Sequence, residues 1–206
     1  MSKIQNYLFI IFASIFTIST VVEPYPFSWI VKLLPMLILL NYVFNQMSNK
    51  YEKLFSIGLV CSAFGDFFLD FGRDNLFLYG LGSFLVAHLF YLSCLWPVAN
   101  KRLILVFAYI FYGCGMLWLI APGLENLLIP VTVYMMVLLL MGIFTLTSQK
   151  SNTWLIIGGL SFVISDSLIG INRFYQPVPY SHLLIMTSYY FAQFCLVKGI
   201  FSVRTD

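Results

Sequence analysis

Three carboxylic acids and one imidazole lie inside apolar stretches that are long enough to cross a membrane. Asp66 and Asp70 stand in GLVCSAFGDFFLDF, His88 in FLYGLGSFLVAHLFYLSCLW, and Asp166 in WLIIGGLSFVISDSLIGI. An ionisable side chain within a bilayer is costly, so it usually faces a protein-lined cavity and has a function there. Because carboxyl and imidazole groups carry general acid–base catalysis and proton transfer, these positions predict a polar site inside a membrane.

The composition of the chain supports this setting. It is 61% hydrophobic and 9% charged, with a mean hydropathy of +0.92, which is typical of an integral membrane protein. Its 206 residues provide for about eight spans of roughly 20 residues with short loops, so a single polytopic membrane domain over 1–206 is expected. The net charge of +3 is spread over the loops, which argues against a nucleic-acid partner.

Hydropathy and helix-breaking residues predict an all-α integral membrane protein with eight transmembrane helices. The spans are placed near residues 4–22, 27–46, 54–71, 76–96, 103–120, 126–147, 153–173 and 180–202. The first span follows Lys3, lacks a small-residue cleavage site and is expected to be retained.

The distribution of basic residues predicts the orientation of these spans. With a cytoplasmic N-terminus, the loops on the opposite side carry only Arg73 and Arg173, so both termini are expected in the cytoplasm. The cytoplasmic side then carries Lys3, Lys50, Lys53, Lys101, Arg102, Lys150, Lys198 and Arg204. Short loops and the absence of an Asn-x-Ser/Thr sequon favour a bacterial inner membrane over the endoplasmic reticulum.

The rise of a helix then sets the depth of the polar residues. Asp66 and Asp166 lie about 18–20 Å along their spans, near the middle of the bilayer, and His88 and Gln193 fall at similar levels. Asp70 is one turn from Asp66 on the same helical face. These residues are therefore expected at depths where they can share a site.

A faint internal repeat, at an offset of 100 positions, contains two of the aspartates. Gly58 matches Gly158, Asp66 matches Asp166, and Arg73 matches Arg173. The matches predict two parallel four-helix repeats, with coincidence as the alternative.

Four sequence elements resemble, in order and spacing, those of the YhhN-like lysoplasmalogenase family of eight-span membrane proteins. They are GDxxL at Gly65–Leu69, GLGSFxxAHxxY at Gly80–Tyr91, the SD pair at Ser165–Asp166, and YYxAQ at Tyr189–Gln193. The resemblance extends from about Lys32 to Lys198. It implies hydrolysis of the vinyl ether bond of lysoplasmalogens, which releases a fatty aldehyde and glycerophosphoethanolamine or glycerophosphocholine.

The implied reaction suits the residues that the chain places in the membrane. Vinyl ether hydrolysis begins with protonation of carbon and passes through an oxocarbenium ion, and glycosidases handle a related ion with two carboxyl groups. We expect Asp66 and Asp166 to form the acid and ion-stabilising pair, in either assignment, while His88 orients or activates water. Asp70 is a supporting catalytic candidate.

Substrate contacts are predicted from the remaining polar residues of the spans. Tyr91, Tyr189 and Gln193 are candidates to orient the glycerol backbone of the substrate. Lys32, about five residues into its span, either reaches inward to a lipid phosphate or extends to the membrane surface. The expected partners are a lysophospholipid, water and membrane lipid, and this chemistry predicts no cofactor and no metal.

Two alternative functions come from other classes of protein. An intramembrane zinc hydrolase needs about three protein ligands, so Asp66 would have to join His88 and His182. A proton-coupled transporter or lipid carrier would use the repeat and the acids at mid-membrane for proton coupling.

Overall fold

The computed structural model describes residues 1–22, 24–72, 75–96 and 102–202, and helices form most of this part of the chain. Arg73, Lys101 and Arg204, which enter the charge and repeat arguments, lie outside the described residues. The helices are α1 (Lys3–Ser19), α2 (Ser28–Gln46), α3 (Lys50–Phe71), α4 (Phe77–Leu95), α5 (Leu103–Ile120), α6 (Leu128–Thr147), α7 (Thr153–Phe174) and α8 (Ser181–Ser202).

Across the described ranges, eight helices are long and apolar enough to cross a membrane, which confirms the predicted all-α, eight-span fold. At about 1.5 Å per residue, helices of this length match the hydrocarbon thickness of a bilayer. Whether the termini face the cytoplasm is not determined by the helices, so that orientation stays a prediction.

The largest error in the predicted boundaries is at α3, which begins at Lys50 rather than near residue 54. Asn49 caps this helix: its side-chain oxygen accepts a hydrogen bond from the Glu52 amide at 3.0 Å. The Glu52 carboxylate in return accepts hydrogen bonds from the Ser48 and Asn49 amides. This capping box satisfies amides that would otherwise lack partners, so the helix extends through a polar segment that hydropathy excluded.

The structure divides into two compact units of four helices each. The first unit comprises Met1–Cys94 with α1–α4, and the second comprises Leu95–Asp206 with α5–α8. The single membrane domain expected from the sequence stays a prediction.

The hairpin of α3 and α4 in the first unit and the hairpin of α7 and α8 in the second pack in the same register. A methyl carbon on Gly58 would lie 3.0 Å from the Ala87 carbonyl oxygen, and one on Gly158 would lie 3.1 Å from the Ala192 carbonyl oxygen. Such close approach of two helix backbones is what small residues permit at membrane-helix interfaces. The contacting residues of α7 and α3 thus differ by 100 in number, and those of α8 and α4 differ by 105.

A second contact lies farther along each hairpin and follows the same correspondence. In the first unit, a methyl carbon on Gly80 would lie 3.5 Å from the Gly65 carbonyl oxygen. In the second unit, the Ser165 hydroxyl donates to the Ile185 carbonyl oxygen at 3.1 Å. Corresponding residues thus meet at two levels of each hairpin, which supports the predicted repeat.

The second helix of each unit also corresponds, at an offset of 102 positions. Five buried residues of each helix match at this offset: Lys32, Met36, Leu39, Leu40 and Val43 in α2, and Tyr134, Leu138, Met141, Gly142 and Thr145 in α6. Within each helix these residues recur every three or four positions, which is the spacing of residues on one side of a helix. The correspondence therefore covers the second, third and fourth helices of each unit.

Candidate functional site

Asp66 is almost completely buried on α3 and faces a lysine of the neighbouring helix. Its Oδ1 lies 3.8 Å from the Nζ of Lys32 on α2, and only 2% of Asp66 and 8% of Lys32 are exposed. Lys32 therefore points inward instead of extending to the membrane surface. A paired ammonium offsets the cost of a carboxylate in an apolar interior, so the two charges can be buried together.

Asp70, one turn further along α3, has a partner from the same neighbouring helix. The hydroxyl of Ser28, the first residue of α2, donates a hydrogen bond to the Asp70 carboxylate. Ser28 and Lys32 are four residues apart on α2, as Asp66 and Asp70 are on α3. Two polar contacts, one helical turn apart, therefore join the two helices. Sequence reasoning did not identify Ser28, although its spacing from Lys32 is the signal that could have found it.

His88 and Tyr91 are the buried polar residues that α4 contributes to the first unit. His88 is fully buried, and its ring centroid lies 6.1 Å from that of Tyr91. The Tyr91 hydroxyl lies 3.2 Å from the Ser62 hydroxyl, and its ring stacks on Phe55 at 4.8 Å. The aromatic contacts fix the Tyr91 ring, and the hydroxyl pair places a polar group between α3 and α4.

Asp166 lies on α7 in the second unit and is half-buried. The hydroxyl of Tyr134 on α6 donates a hydrogen bond to its Oδ2. Tyr134 is itself buried, so this bond is made away from bulk water. Sequence reasoning missed Tyr134, because a tyrosine in an apolar span carries no signal apart from the aspartate that it meets.

Tyr189 and Gln193 share a face of α8, as their four-residue spacing predicts. The Gln193 side-chain nitrogen donates to the Tyr189 hydroxyl at 3.3 Å, and both side chains are buried. The Tyr189 ring meets Phe162 of α7 edge to face, with centroids 5.5 Å apart. The pair therefore forms an ordered polar element between α7 and α8.

The described residues contain no group of three or more His, Cys, Asp and Glu side chains arranged to hold a metal ion. The zinc alternative needs three such ligands and thus lacks a preformed ligand set in that part of the chain. What the geometry provides is three carboxyl groups, those of Asp66, Asp70 and Asp166, each held by a donor from a neighbouring helix. Carboxyl groups in such surroundings can keep a charge or exchange a proton inside a membrane.

The chain is similar to known proteins over most of its length. The YhhN family model matches residues 27–200. Lysoplasmalogenase TMEM86B of Homo sapiens is 34% identical over 178 residues, which cover 81% of this chain and 72% of the relative. Lysoplasmalogenase of Mycobacterium bovis is 35% identical over 155 residues, 71% of this chain and 59% of the relative. No solved structure matches the chain.

Proposed function

Since this chain belongs to the YhhN family, we propose that it is a lysoplasmalogenase, which hydrolyses the vinyl ether bond of lysoplasmalogens. Support comes from relatives of that name in Homo sapiens and Mycobacterium bovis, at 34% and 35% identity. The structural observation that carries the proposal is the pair of intramembrane carboxyl groups, each with a donor from the adjacent helix. The products are a fatty aldehyde and glycerophosphoethanolamine or glycerophosphocholine.

The reaction needs a proton donor and a group that stabilises positive charge. Protonation of the vinyl carbon distal to oxygen converts the double bond into an oxocarbenium ion. Water then adds to the carbon bonded to oxygen and loses a proton, and the resulting hemiacetal collapses to aldehyde and alcohol. In this scheme one of Asp66 and Asp166 donates the first proton, and the other stabilises the cation as a carboxylate.

The remaining polar residues take supporting roles in this proposal. His88 accepts the proton of the attacking water, and Asp70 supports the adjacent carboxyl group. Lys32, whose Nζ lies 3.8 Å from Oδ1 of Asp66, balances the charge of that carboxylate and stays a candidate to contact the lipid phosphate. Tyr91, Tyr189 and Gln193 orient the glycerol backbone through hydroxyl and amide hydrogen bonds.

The helices of the proposed enzyme support a location in a membrane. The chain is an integral membrane protein, in which eight helices of the described part are able to span a bilayer. We propose the bacterial inner membrane as its location, with both termini in the cytoplasm. Its substrate, a lysophospholipid, reaches the site from the membrane, and water is the second reactant.

The proposal is tested by mass spectrometry of the purified protein in detergent micelles with a lysoplasmalogen. A fatty aldehyde is expected from the vinyl ether and none from the saturated ether analogue, which cannot form the oxocarbenium ion by protonation. The Asp66→Asn/Asp166→Asn double variant, purified identically, controls for contaminating activity. Absence of aldehyde with the wild-type protein would refute the proposal and favour a carrier, since micelles provide no gradient to drive transport.

A further inference from the structure

The correspondence between the two units contains the match of Asp66 to Asp166 and adds a relation between His88 and Gln193, which sequence reasoning treated separately. Asp66 corresponds to Asp166 in the third helix of each unit, and His88 corresponds to Gln193 in the fourth. This relation follows from the hairpin contacts, since Ala87 meets Gly58 as Ala192 meets Gly158. His88 and Gln193, next to those alanines, are both fully buried.

The second helix of each unit adds a donor to the corresponding aspartate. Lys32 of α2 lies beside Asp66, and Tyr134 of α6, at the corresponding position, donates to Asp166. Both donors lie on the buried face of their helix. The corresponding buried positions are therefore Lys32, Asp66 and His88 in the first unit, and Tyr134, Asp166 and Gln193 in the second, and in each unit the first two residues are in contact.

We propose that Tyr134 is a positioning residue of the catalytic site, which orients the Asp166 carboxyl group as Lys32 does that of Asp66. The inference rests on the proposed function and adds a residue to it. A phenol hydroxyl donates one directed hydrogen bond to the carboxylate and carries no charge, whereas the Lys32 ammonium adds a positive charge. The hydroxyl bond to Oδ2 restricts rotation of the carboxyl group and so fixes its orientation on α7.

Tyr112 provides a matched control for this proposal. Its hydroxyl donates to the Ser167 hydroxyl at 2.6 Å, so it bonds to the residue of α7 that follows Asp166. Tyr112→Phe and Tyr134→Phe therefore each remove one hydroxyl that holds α7, and only the second removes the bond to the carboxyl group. A general loosening of α7 would affect both variants alike.

The first experiment measures turnover and binding of the saturated ether analogue. Tyr134→Phe is expected to lower kcat about 10-fold, the scale of one hydrogen bond lost in the transition state, with analogue affinity unchanged within about twofold. Tyr112→Phe is expected to keep both values near those of the wild type. Equal losses in the two variants, or normal turnover in Tyr134→Phe, would overturn the proposal.

The second experiment is a double-mutant cycle with Asp166→Asn. If Tyr134 acts through Asp166, Tyr134→Phe causes little further loss of turnover in the Asp166→Asn background, because the carboxyl group that it positions is already gone. Independent action would instead multiply the two losses. That multiplicative result would show that Tyr134 affects turnover by some other route.

A third measurement separates this inference from the proposed function. The infrared carboxyl band of Asp166 is identified by its loss in Asp166→Asn, and it is expected to shift in Tyr134→Phe and to stay in place in Tyr112→Phe. This readout needs no substrate. If the wild type releases no aldehyde yet the band shifts, the function is wrong and the contact is upheld, whereas turnover with an unshifted band overturns the role of Tyr134.

Discussion

Removing either charge of the Lys32–Asp66 pair is expected to destabilise the protein far more than removing both. The two charged atoms lie 3.8 Å apart, and their side chains are 10% and 3% exposed. With an effective dielectric constant of about 20, Coulomb's law gives an attraction of about 4 kcal/mol at this distance. Lys32→Met leaves a buried carboxylate without this ammonium, so we expect a loss of about 3–5 kcal/mol in the free energy of unfolding.

The double variant Lys32→Met/Asp66→Asn distinguishes a charge pair from general packing. It removes both charges and retains most of the volume, so we expect it to recover most of the stability that Lys32→Met loses. The assay is reversible unfolding in mixed micelles with increasing sodium dodecyl sulfate, followed by circular dichroism. Because it measures folding alone, its result does not depend on whether the variants turn over substrate.

Lys198→Met is the matched control for the stability measurement. Lys198 is exposed on α8, and its ammonium lies 4.1 Å from the centroid of the Trp154 ring. An exposed cation–π contact contributes about 0.5–1 kcal/mol, so this variant should change stability by no more than that. The charge-pair reasoning is refuted if the double variant is no more stable than Lys32→Met, or if Lys198→Met costs as much.

Three further predictions concern the chemistry, the packing and the topology of the protein. Asp66→Asn and Asp166→Asn should each lower turnover about 100-fold or more per folded molecule, since an amide supplies neither an acidic proton nor a full charge; near-normal kcat in both would direct attention to His88. Gly123→Ala should destabilise the second unit by about 1–3 kcal/mol in thermal unfolding, because the new methyl carbon would overlap the Phe174 carbonyl oxygen. Gly115→Ala, where nothing lies within 4 Å, should leave the unfolding temperature unchanged or slightly higher, and equal effects would contradict this packing argument. Reporter fusions after Lys53, Arg102, Lys150 and Asp206 should report cytoplasm, and those at Asp74 and Gln176 the opposite side, so a C-terminus found outside would overturn the predicted orientation.

The spans could be predicted from the sequence because each depends on residues that are close together in the chain. A bilayer requires about 20 apolar residues per helix, and that requirement is visible in hydropathy without any knowledge of neighbours. The predicted start of the third span, near residue 54, was wrong because the polar segment before it is also helical. Its start at Lys50 depends on the reciprocal bonds of Asn49 and Glu52, which hydropathy does not register.

The repeat was only partly visible because its offset changes along the chain. The third and seventh helices match at 100 positions, whereas the fourth and eighth match at 105. The connection from Asp166 to Gln193 is longer than that from Asp66 to His88, and loops accept such insertions more readily than packed helices do. The segments SFLVAH at 83–88 and SYYFAQ at 188–193 carried the missing signal.

The sequence by itself determined that the chain is an eight-span membrane protein and that aspartates and a histidine lie within its spans. Those properties follow from local apolarity and from which residues interrupt it. Only the tertiary structure decided which donor each acid meets: Ser28 for Asp70, Lys32 for Asp66 and Tyr134 for Asp166. The reason is that these contacts cross between helices, whose relative register is set by close packing among residues far apart in the chain.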